Sequence, residues 1–150
     1  MFLRHPILSA VTLGYLALVG WVTLSPQSSL QRGSLLWRIL ELLEPVPGTQ
    51  WLTFSRLEFV ANIAMFVPIG LFLVLLLGRS RWWLAILLAV ALTFAIEAAQ
   101  RFIAGRVSDP RDLLANSLGA IIGTVIAVAV TTRRARRVRG SARPSARGAV

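Results

Sequence analysis

Four apolar runs, at positions 6–24, 59–78, 82–100 and 112–130, constrain this chain more than any other feature. Each is close to the roughly 20 residues that a helix needs to cross a bilayer. Between them they use up most of the 150 residues, and they raise the hydrophobic content to 56%. A mean hydropathy of +0.71 is too apolar for a soluble domain. The expected fold is all-α: a polytopic membrane protein with four transmembrane helices. The first run could instead be a secretory signal. However, Ser25 and Pro26 follow it with no small-x-small cleavage pattern, which favours an uncleaved anchor.

The connections differ in kind. Residues 25–56 form the longest, and within it SLLWRILELLEP repeats Leu35, Leu36, Ile39, Leu42 and Leu43 at helical spacing until Pro45 and Pro47 stop it. A helix this short does not span. It is expected to lie at the interface of the first extracytoplasmic loop, with Trp37 and Trp51 at headgroup level. The second run carries Asn62 and a mid-helix Pro68, which removes one backbone hydrogen bond and frees the Ala64 carbonyl. Arg79-Ser80-Arg81 is so short a turn that the second and third runs form a tight hairpin. From residue 131 the sequence TTRRARRVRGSARPSARG has seven arginines and no acid, and no means of building a core. The chain therefore divides into a four-helix membrane domain at 1–131 and an arginine-rich tail at 132–150, expected to be disordered and cytoplasmic.

Charge sets the expected orientation. All sixteen basic residues are arginine, and six acids leave a net charge of +10. With four spans both termini share a side with the Arg79–Arg81 turn, and that side holds ten arginines and no acid. The other side holds six arginines and all six acids. The bias of arginine towards cytoplasmic flanks puts both termini inside a plasma membrane. The basic tail is then a topology determinant with affinity for anionic lipid rather than a nucleic-acid site.

Metal and thiol chemistry find little footing. There is no cysteine, and the one histidine, His5, precedes the first run. No metal and no cofactor is expected.

The topology brings polar residues together. Glu58 and Asn62 open the second span, Glu97 and Gln100 close the third, and Asp112 and Asn116 open the fourth, all near the outer surface. Their spacings of three and four put each pair on one helix face. The intervening loop adds Arg106 and Asp109. The candidate polar site is thus Asn62, Glu97, Gln100, Arg106, Asp109, Asp112 and Asn116. Polar groups this close to lipid are costly and need a reason. Ala115, Gly119, Gly123 and Ala127 recur every fourth residue on the fourth span, a face that lets another helix approach closely, and packing within the chain is a better use for it than dimerisation.

These residues form a recognisable pattern. NIAMFVPIG, with Asn62, Phe66, Pro68 and Gly70, is followed by Glu97-x2-Gln100 and by Arg106-x2-Asp109-x2-Asp112-x3-Asn116-x2-Gly119-x3-Gly123. Together with Thr23-x2-Pro26 this resembles the VanZ-like family of membrane proteins, from about Val11 to Val130. The resemblance implies a bacterial cell-envelope protein, since the founding member is associated with teicoplanin resistance and some members with lowered glycopeptide susceptibility. It implies no biochemical activity. Within this pattern Pro68, Gly70, Gly119 and Gly123 are the expected helix-packing residues.

Three functions fit these residues. The rim cluster binds a lipid head group or a lipid-linked cell-wall precursor, with arginine clamping phosphate or carboxylate and amides completing recognition. Alternatively it is a structural clasp with no ligand, in which Arg106 pairs with Asp109 or Asp112. In the third, Glu97 with Asp109 or Asp112 works as an acid–base pair on a lipid-linked substrate. Enzymatic activity is the less favoured of these, because no nucleophile elbow, phosphate loop or metal cluster accompanies the carboxylates. Transport is disfavoured by the apolar inner halves of all four spans.

Overall fold

In the computed structural model, residues 6–25, 35–103 and 109–141 are described, 134–141 by backbone alone. All the regular structure among them is helical. The order is α1 (Pro6–Leu24), α2 (Leu35–Leu43), α3 (Phe54–Leu77), a 3₁₀ turn (Arg79–Arg81), α4 (Trp82–Gln100) and α5 (Pro110–Ser141). Four of these helices, all but α2, are long and apolar enough to cross a membrane.

Helix ends follow local chemistry. α3 begins five residues before its first long apolar stretch because Thr53 caps it, the side-chain oxygen accepting from the Arg56 N–H at 3.4 Å. It continues through Pro68 and stops at Gly78, whose φ of 85° suits glycine alone and whose N–H donates to the Val74 carbonyl. α5 begins at Pro110, a residue type suited to the first helical position, and Asp109 Oδ1 accepts from the Arg111 N–H at 2.9 Å. α5 runs on past residue 132, to Ser141. Arginine and alanine are good helix formers, and extending a helix already nucleated in the span costs little. Residues 142–150 lie outside the described residues.

The packing has the inside-out character of a membrane bundle. Small and polar side chains fill the interior, among them Ala85, Ala89, Ala115, Ala120, Thr93 and Thr124, while Ile7, Leu13, Leu87, Phe94 and Val125 face outward. Phe66 and Ile69 supply the largest buried apolar side chains, at the centre of the cluster that includes Val19, Ala89 and Ala120.

α3 and α5 form the tightest pair. Gly119 sits on the Ile63 carbonyl and Gly123 on the Val67 carbonyl, so the two helices run parallel, while Gly70 sits on the Ala120 carbonyl from the other side. A Cβ on any of these glycines would penetrate backbone. The hydrogen that replaces it points at a carbonyl, the geometry of a weak Cα–H···O bond. α4 runs antiparallel to both and packs against each of them. α1 is held to α3 by the Tyr15 hydroxyl, which donates to the Met65 carbonyl at 2.8 Å, and by an edge-on contact between Tyr15 and Phe72. α2 turns Leu36, Ile39, Leu40 and Leu43 partly inward and stacks Trp37 on Phe54, centroids 5.2 Å apart.

Candidate functional site

The rim residues divide into those that tie helices together and those that line open space. Asn62, half-buried on α3, donates from Nδ2 to Asp112 Oδ1 at 2.8 Å. This bond joins the N-terminal parts of the parallel pair, about two turns along α5 from the glycine contacts. Arg111 makes a second tie at the same level, Nη1 donating to Ser55 Oγ at 3.1 Å. Gln100 turns elsewhere. It is 5% exposed, and Nε2 donates to the Thr23 carbonyl at 2.9 Å, joining α4 to α1. That carbonyl belongs to the last turn of α1. Asp109 works locally at the start of α5, its carbonyl accepting from the Asp112 N–H at 2.9 Å as well as its side chain from Arg111.

Glu97 is placed differently. It is 8% exposed on α4, and it lines a groove of about 240 Å³ with Phe94, Ala98, Arg101, Pro110 and Leu113. The groove lies between the C-terminal end of α4 and the N-terminal end of α5. One wall carries a carboxyl and, four residues on, a guanidinium; the others are apolar. Asn116 is 5% exposed one turn below Asp112, and its Oδ1 has no hydrogen-bond partner among the described residues. Arg106 lies outside the described residues.

The six predicted residues that are described divide among several contacts. Asn62 joins Asp112, Gln100 joins α1, Asp109 caps α5, and Glu97 opens onto the groove. Arg101, Phe94 and Leu113 were not among the predicted residues. Glu97 and Arg101 are four apart, a spacing that places both on one face and could have drawn Arg101 in. Phe94 and Leu113 carry no signal beyond their apolar character. A separate cavity of about 330 Å³ beside α2, lined in part by Trp37, Glu41, Glu44 and Phe54, shares no residue with the rim. Among the described residues no three histidine, cysteine or acidic side chains cluster as metal ligands would.

No curated protein and no solved structure matches the chain. The family model described as VanZ/LLP1 does, over residues 12–131, which takes in most of the first span, the three later ones and every rim residue named above. By that match this membrane-helix protein belongs to the VanZ/LLP1 family.

Proposed function

We propose that this protein binds the polar head of a membrane lipid, or of a lipid-linked cell-wall precursor, in the groove between α4 and α5. Glu97 carries the reading: it is an acidic side chain within a membrane span, 8% exposed, opening onto a groove that also holds Arg101. Polar residues at such depth are retained for a purpose. The groove has an amphiphile's own division, with Glu97 and Arg101 for a head group and Phe94, Ala98 and Leu113 for the chain beneath it. An arginine at headgroup level can hold phosphate or carboxylate through two parallel hydrogen bonds.

The arginine distribution supports cytoplasmic termini, with the groove at the outer face of the plasma membrane and α2 lying along that interface. A protein that holds a wall-precursor head there changes how much of it is accessible from outside. Envelope properties and glycopeptide susceptibility are then natural readouts.

The clasp reading is favoured for a different set of residues. The bonds from Asn62 to Asp112 and from Gln100 to the Thr23 carbonyl use those side chains structurally. Acid–base catalysis gains less support, because Glu97 is the one carboxylate among the described residues lining the groove.

Lipid extracted from purified wild-type, Glu97→Gln and Arg101→Ala proteins and identified by mass spectrometry tests the proposal. The expected result is a lipid class retained by wild type and depleted in both variants. Equal retention in all three contradicts it.

A further inference from the structure

Threonine inside a membrane helix normally returns its hydroxyl to the carbonyl one turn back. Four threonines here do so: Thr12 to Leu8 at 2.7 Å, Thr23 to Val19 at 2.8 Å, Thr131 to Ala127 at 2.7 Å and Thr132 to Val128 at 2.7 Å. Thr93 on α4 and Thr124 on α5 do not. Both are 1% exposed, and neither hydroxyl has a partner among the described residues. Asn116 Oδ1 is orphaned in the same way. Buried polar atoms are rarely left so, and ordered water is a common reason when they are.

The register brings two of the three to one level. Around the groove Glu97 and Arg101 of α4 meet Leu113 and Pro110 of the antiparallel α5. Continuing inward by one turn on each helix puts Thr93 level with Asn116, both buried and not bonded to each other. We infer that a bound water bridges Thr93 Oγ1 and Asn116 Oδ1, one turn below Glu97 on the same face of α4. Water both donates and accepts, as a hydroxyl and an amide oxygen together require. A hard cation would want about six oxygen ligands and acidic neighbours, and no acidic cluster is present among the described residues. Thr124 lies eight residues further along α5, about 12 Å at helical rise, so it marks a separate hydration point. The rim's polar network thereby extends one turn into the bundle. The inference stands whatever the groove binds.

Water-edited solid-state NMR of the full chain in lipid bilayers, with labelled threonine and asparagine, reads this directly. Thr12 is an internal control, being 3% exposed and back-bonded. Thr93 and Asn116 are expected to receive polarisation from water several-fold faster than Thr12, and Thr93→Val is expected to abolish the transfer at Asn116. Transfer at Thr93 no faster than at Thr12 overturns the proposal, as does transfer at Asn116 that survives Thr93→Val. Shifts at Thr93 and Asn116 that change when sodium is replaced by choline also overturn it, because they indicate a cation. If Thr93→Val fails to fold, the wild-type rates against Thr12 decide.

Discussion

α5 packs against α3 and α4 with opposite materials. Towards α3 it offers glycine to backbone: Gly119 and Gly123 lie on carbonyls of Ile63 and Val67, Gly70 answers on Ala120, and the Asn62–Asp112 bond closes the outer end. Towards α4 there are two hydroxyls with no partner among the described residues, an acidic side chain and a groove. The first seam leaves no room for a ligand, and every polar group named in it has a partner. The second leaves both room and unmet hydrogen-bonding capacity. One half of the rim is therefore architecture and the other is the half we propose as a site, which a reading of the cluster as a single unit would not separate.

The largest effects should come from the closed seam. Gly123→Ala drives a Cβ into the Val67 carbonyl and is expected to cost roughly 2–3 kcal/mol, with Gly123→Leu abolishing the folded protein. Gly14→Ala, where a Cβ meets nothing within 4 Å, serves as control and should stay within about 0.5 kcal/mol. Reversible unfolding in detergent measures both, and equal costs at the two glycines would break the contrast. Next, Asn62→Ala, Asp112→Ala and the double variant form a thermodynamic cycle whose coupling is expected near 1 kcal/mol. Gln100→Leu, which leaves the Thr23 carbonyl without its partner, should cost about 1 kcal/mol. Arg111→Gln is the mildest, since the bond to Ser55 is exposed, and a change below about 0.5 kcal/mol is expected.

Much of the fold was legible because lipid imposes a simple rule on the sequence. α1 and α4 have the bounds that their apolar runs predict. α3 and α5 start earlier than their runs, because the Thr53 cap and the Asp109-Pro110 start are local hydrogen-bonding signals that hydropathy does not see. α5 also continues beyond the last apolar residue, because arginine carries a helix as readily as leucine does. At the site, spacing put the rim residues on shared faces, and Asn62 does meet Asp112. Spacing carried no information on what each face would meet. Gln100 answers an end-of-helix carbonyl on α1, 77 residues away, and the GxxxG finds its partner on a parallel helix two elements back. Both depend on how the bundle assembles rather than on any one helix.

The division of the rim into architecture and site is tested most directly by measuring retained lipid and unfolding stability together on Arg101→Ala and Asn62→Ala. Arg101→Ala is expected to lose lipid with its stability unchanged, and Asn62→Ala to lose stability while the folded fraction keeps its lipid. Lipid loss that simply follows stability in both variants, or that is absent from Arg101→Ala, would contradict the account.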